Sequence, residues 1–181
     1  SAASDVYKRQ VLVPNAVDPL GDFTSSGVDF LYIGRLSENK QVDRLLATHK
    51  ELIFRHGPRH LHIVGPEFDV TRAQLQTQIT ALGIAPHVTV HGYLDQSDLQ
   101  ALAQTCGFFV SASRFEGFGM TLIEAMSVGL VPLVQPNASF SDLLRQANTG
   151  LLVDHADPAD AADRIAQFIA EPQDANRQQA R

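Results

Sequence analysis

The sequence is poor in the residues that build disulfide and membrane chemistry. Cys106 is the only cysteine, tryptophan is absent and methionine occurs twice. A single thiol excludes an intrachain disulfide and a cysteine-rich zinc site, is compatible with a reducing compartment, and reads as a small buried residue. No uninterrupted apolar run is long enough to cross a bilayer as a helix, and the start lacks the charged-then-apolar order of a secretory signal. Excess positive charge is missing as well: 14 Lys and Arg face 20 Asp and Glu, a formal net charge of −6. A general binder of nucleic acid or other polyanions is therefore disfavoured, although a local basic pocket can still take phosphate.

What is present suffices for one α/β core: 181 residues, 44% hydrophobic, with Phe outnumbering Tyr and Trp combined. Residues 1–10 are set aside as a non-native tail, because the codons for residues 5–10 can spell a transposase adaptor. Residues 11–181 are read as one domain. Its last stretch, residues 171–181, is polar and helix-compatible and carries no helix stop signal.

Short β-branched or aromatic runs alternate with helix-period segments. Strands are predicted at residues 30–33, 61–64, 88–90, 108–110, 130–134 and 151–153. Helices are predicted near 41–56 and 71–82, after Asp95, over 120–128, near 142–146, and from the Asp157-Pro158 start signal through Ala170. Pro132 suggests that the strand at 130–134 lies at an edge or ends there. About six strands joined by helices imply a Rossmann-like, doubly wound parallel sheet, since parallel neighbours need crossover connections. Ligands of such sheets bind beyond the carboxyl ends of the strands, which directs attention to residues 34–40, 65–67, 92–95 and 111–119.

Residues 111–129 carry the most information. Gly117 and Gly119 allow close backbone approach, and the helix that follows offers unpaired amides and a positive dipole end to phosphate or sugar oxygens. Glu124 lies within that helix on the Met120 face, where its carboxylate can accept from two adjacent ribose hydroxyls. Glu116 precedes the glycines.

Glu116-Gly117-Phe118-Gly119-Met120-Thr-Leu-Ile-Glu124, followed by Ala125-Met126 and Gly129, resembles the donor-site signature of glycosyltransferase family 4. Other matching segments follow in the family's order: Pro14-Asn15-Ala16-Val17-Asp18, Tyr32-Ile33-Gly34-Arg35-Leu36, Lys40, His62-Ile63-Val64-Gly65-Pro66, Val90-His91-Gly92-Tyr93-Leu94 and Gly150-Leu151-Leu152-Val153. The resemblance covers nearly all of residues 11–181. It implies the C-terminal, donor-binding half of a retaining GT-B hexosyltransferase, with the N-terminal acceptor domain outside these residues and the segment alone inactive. Gly34, Arg35 and Lys40 would meet the diphosphate of a nucleoside-diphosphate sugar. Arg35 and Lys40 would also stabilise the charge that develops as the bond to phosphate breaks. Glu116 would orient donor-sugar hydroxyls, with no nucleophile role, and these three residues form the catalytic set. Glu124 would hold the ribose, Tyr93 and Leu94 the base, and Gly117, Phe118, Gly119 and Met120 the sugar and phosphate. The acceptor is a hydroxyl on a glycan, a lipid-linked sugar or a small molecule. The implied setting is cytoplasmic, with peripheral attachment to a membrane residing in the full-length enzyme.

The chain has no Asp-x-Asp, the metal-holding signature of the other major glycosyltransferase fold, so a metal-free donor site without cofactor is expected. His60 and His62 share a strand face and are read as a packed or surface pair rather than metal ligands. Two departures from the family pattern stand out. Asn15-Ala16 replaces Asn-Gly, and residues 137–142 replace a Gly-Gly-x-x-Glu arrangement, leaving that loop unassigned. Gly117-Phe-Gly119 partly imitates a dinucleotide fingerprint, but Leu122 stands at its third glycine, so a nicotinamide dehydrogenase is the weaker reading. A non-catalytic nucleotide-binding module and a nucleotide-sugar epimerase half remain alternatives, because a fold alone does not set function.

Overall fold

The computed structural model describes residues 20–21 and 25–171. The adaptor-like tail, residues 14–18 and the polar segment beyond residue 171 lie outside the described residues. Six parallel strands follow one another with helices between: β1 Asp29–Ile33, α1 Val42–His56, β2 Leu61–Val64, α2 Arg72–Leu82, β3 Val88–Gly92, α3 Gln96–Thr105, β4 Cys106–Ser111, α4 Met120–Ser127, β5 Val131–Val134, α5 Ala138–Ala147, β6 Leu151–Leu152 and α6 Pro158–Ala170. Their order across the sheet is β3-β2-β1-β4-β5-β6. The chain thus builds outward from β1 in one direction, returns across the sheet through α3, and builds outward from β4 in the other. Loops after β1 and β4 leave the sheet side by side at this reversal, the place where ligands of such sheets bind.

Local chemistry explains where the helices start. Thr71 and Gln74 form a reciprocal capping box ahead of α2, and the side chains of Asp95, Asn137 and Asp157 accept amides at the starts of α3, α5 and α6. Gly83 and Asn148 end α2 and α5 in the left-handed conformation. Along β1 the side chains alternate between two apolar layers. Phe30 and Tyr32 face a cluster with Leu45, Leu46, Ile63 and Ile165, while Leu31 faces one with Phe109, Leu122, Leu130 and Phe140. Leu46 is fully buried, so its truncation to Ala would cost about 2–5 kcal/mol.

Two expectations need correction. The strand containing Pro132 is interior, between β4 and β6. It tolerates the proline because β6 pairs only with Leu133 and Val134, so Pro132 precedes the first rung on that side. The helix expected near 142–146 spans Ala138–Ala147, because the Asn137 side chain accepts the Phe140 amide and sets the start earlier. Cys106 is fully buried, and burial pushes its thiol up to about 12, far from thiolate reactivity.

Candidate functional site

Glycine brings three strand ends together at the carboxyl rim. Gly34 N–H donates to Val64 O at 2.9 Å, and Gly65 N–H to Gly92 O at 2.8 Å. A Cβ on Gly65 would stand 1.9 Å from the Gly34 carbonyl oxygen, and its φ of +148° disfavours a side chain as well. Beneath the first loop the buried Tyr32 donates its hydroxyl to Arg35 O at 2.9 Å. Burial raises the pKa of this phenol, and the nearby Glu116 carboxylate raises it further, while Arg35 opposes. It stays a neutral donor. Arg35 itself extends over the Phe68 ring, 4.8 Å from guanidinium carbon to centroid.

The loop then makes a short 3₁₀ turn, Glu38–Lys40, which is stitched to the loop after β4. Arg114 N–H donates to Asn39 O at 3.0 Å. Asn39 Nδ2 donates to Phe115 O at 2.9 Å. Between these strands of chain, Lys40 Nζ meets Glu116 Oε1 at 2.5 Å, with side chains 17% and 19% exposed. From the far side Ser139 Oγ donates to Glu116 O at 2.6 Å and Gly117 O at 3.0 Å. The loop ends at Gly119, whose φ of +70° turns the chain into α4 with no side-chain cap. The first amides of α4 therefore face the loop without a side-chain acceptor at the cap, unlike those of α2, α3, α5 and α6.

The candidate residues consequently fall into groups. Lys40 and Glu116 touch, and Gly34 and Arg35 share Lys40's loop, while Gly117, Phe118, Gly119 and Met120 complete the facing loop and helix start. Phe118 is 66% exposed. Glu124 lies one turn further along α4 on the Met120 face and is half-buried. Tyr93 and Leu94 follow β3 at the sheet edge, three strands from β4 and so roughly 14 Å away along the same rim. Tyr93 projects into solvent, 77% exposed, and Leu94 packs partly onto the second apolar cluster.

Sequence reasoning passed over four supports: Tyr32 as a donor to the loop, Phe68 beneath Arg35, Asn39 as the stitch, and Ser139. Ser139 lies in the segment left unassigned for lacking Gly-Gly-x-x-Glu. The signal that could have found it is Asn137, which caps α5 and also donates to Ser113 O at 2.9 Å. His60 and His62 form a packed group with His91, at ring separations of 4.6 and 5.2 Å. His62 Nδ1 lies 3.0 Å from His91 Nε2, and its Nε2 lies 3.4 Å from Asp29 Oδ2.

Residues 23–181 match the family described as glycosyl transferases group 1. The chain belongs to that family. Among the curated relatives of this group 1 chain, it is 34% identical over 142 residues to the GDP-mannose:cellobiosyl-diphosphopolyprenol alpha-mannosyltransferase of Xanthomonas oryzae pv. oryzae, covering 78% of this chain and 37% of that one. It is 33% identical over 147 residues to the mannosylfructose-phosphate synthase of Agrobacterium fabrum, covering 78% of this chain and 32% of that one. The chain thus spans about a third of the length of these relatives. Among solved structures, the sucrose-phosphate synthase of Thermosynechococcus elongatus superimposes with a TM-score of 0.74 at 21% identity, over 91% of this chain and 46% of that one. At that identity the likeness shows the fold.

Proposed function

We propose that this group 1 domain binds the nucleoside-diphosphate sugar of a retaining hexosyltransferase of the family 4 type, which moves the sugar to a hydroxyl acceptor. The observation that carries this reading is the meeting of cation, carboxylate and open helix start at one point of the rim: Lys40, Glu116 and the amides that follow Gly119. A diphosphate there would accept hydrogen bonds from Arg35, Lys40 and the α4 amides. As the bond from sugar to phosphate breaks, the same donors stabilise the growing charge on the leaving oxygen. Glu116 orients sugar hydroxyls, Glu124 accepts from the ribose hydroxyls, and Tyr93 with Leu94 borders the base. In this reading Arg35, Lys40 and the helix dipole take the part that a metal would otherwise play.

Because the chain spans only a third of its relatives, the acceptor is assigned to a further domain of the whole protein, and these residues alone are expected to bind without transferring. Both curated relatives named above carry mannose in their names, so GDP-mannose is the first donor to test, and a lipid-linked acceptor in a cytoplasmic, membrane-peripheral setting the first acceptor class. Calorimetry with UDP-, GDP- and ADP-sugars, with and without EDTA, is the test. Glu124→Ala and the Arg35→Ala/Lys40→Ala pair should each weaken the donor that binds, and EDTA should change nothing. Unchanged affinity in all variants sinks the site. With the whole protein, an inverted product anomer sinks the retaining assignment.

A further inference from the structure

The ion pair at the centre of the site sets a problem for any donor. Lys40 and Glu116 are both held mostly away from solvent, their loops are joined to each other through Asn39 and Arg114, and Ser139 of α5 holds the second loop from outside. The ammonium already spends one of its three N–H donors on a carboxylate 2.5 Å away. A diphosphate arriving at Lys40 would lie against that carboxylate, and like charges in a part-buried site repel strongly.

We infer that the pair is an exchange element. Glu116 occupies Lys40 as an internal anion in the empty site, the donor's diphosphate displaces it, and the released carboxylate is satisfied only if sugar hydroxyls are there to donate to it. The inference rests on the donor-site reading and deepens it. A nucleoside diphosphate, the product of transfer, offers the phosphates but no hydroxyls at the sugar position. It must evict Glu116 without giving it new partners, and a displaced carboxylate left without partners in a confined site is unfavourable. The arrangement therefore favours the intact donor over product and over inorganic pyrophosphate.

The consequence separates this role from ordinary hydroxyl recognition, because loss of the Glu116 charge should tighten product binding. Calorimetry on the chain with UDP, GDP, UDP-glucose, GDP-mannose and inorganic pyrophosphate, for wild type, Glu116→Gln, Lys40→Met and the double variant, reads it directly. Freeing one charged hydrogen bond should strengthen the nucleoside diphosphate and pyrophosphate about tenfold in Glu116→Gln, and collapse the preference for the sugar-bearing ligand toward one. In the Lys40→Met background the same change should have no tightening effect. Equal or weaker diphosphate binding by a folded Glu116→Gln protein overturns the exchange, and Glu116→Ala, expected to act in the same direction, decides the matter if the glutamine variant does not fold. Failure of the donor-site reading looks different: wild type binds none of these ligands, or Arg35→Ala leaves their binding unchanged.

Discussion

The loops after β1 and β4 hold each other, whereas the loop after β3 presents its aromatic ring to water. In the first region every charged group of the candidate site has a neighbour: Lys40 has Glu116, Arg35 has the face of Phe68, and Asn39, Arg114 and Ser139 fasten the backbone around them. In the second, Tyr93 stands 77% exposed at the end of an edge strand. The contrast teaches where specificity can be built. A stitched loop pair pre-organises charge and resists rearrangement, while an exposed ring adapts to what docks on it and contributes less.

The largest expected effect comes from breaking the backbone contact beneath the stitched region. Gly65→Ala forces a methyl against the Gly34 carbonyl and should lower stability by about 3 kcal/mol or more, read as a shifted urea midpoint. An unchanged midpoint would mean that the strand ends are not in close approach.

Acid should loosen the packing of α1, away from both regions. His49 is buried with its Nε2 3.1 Å from Arg59 O and 3.3 Å from His87 O, tying α1 to the edge half of the sheet. His155, also buried, meets Thr48 Oγ1, on the residue before His49 in α1, through Nδ1 at 3.0 Å, and its Nε2 has no hydrogen-bond partner among the described residues. Burial lowers both to about 4. Each is neutral when folded but takes a proton near pH 6.5 when unfolded, so the unfolded chain binds more protons between those values and stability falls as pH drops from 6.5 toward 4. The loss should reach on the order of 2 kcal/mol per histidine between pH 7 and 5. His155→Gln should remove about half of that slope, and a flat profile in the parent chain would contradict the buried neutral state.

Next in size is Arg35→Ala, expected to weaken donor binding about tenfold or more in calorimetry, since a hydrogen bond to a charged group is removed. Ser139→Ala should cost about 1 kcal/mol of stability and a few-fold in donor affinity, because Glu116 and Gly117 lose their shared donor. Tyr93→Ala should be smallest, about threefold or less in affinity with no change in melting temperature. A larger effect there than at Ser139 would reverse the comparison between the two regions.

Much of the fold was legible because it rests on local patterns. Short apolar runs such as residues 30–33 placed the strands, Asp95 and Asp157 marked their helix starts, and the βα rhythm implied parallel strands. Where prediction failed, a long-range fact intervened. Pro132 suggested an edge or a strand end because its ring removes a donor; the strand is interior, and the short register of β6 leaves no rung at that position. Ser139 was invisible because its partners, Glu116 and Gly117, are more than twenty residues away in the chain and are reached only when α5 packs beside α4's entry loop.

By itself the sequence determined the element types, their order and the identity of the charged residues at the rim, since capping, periodicity and the Glu116–Glu124 segment with its two internal glycines are local properties. Only the tertiary structure decided that Lys40 and Glu116 face each other. They lie in loops that follow two strands joined in the sheet, yet stand 76 residues apart in the chain, and the pairing of β1 with β4 at the reversal of strand order is what turns that separation into an ion pair.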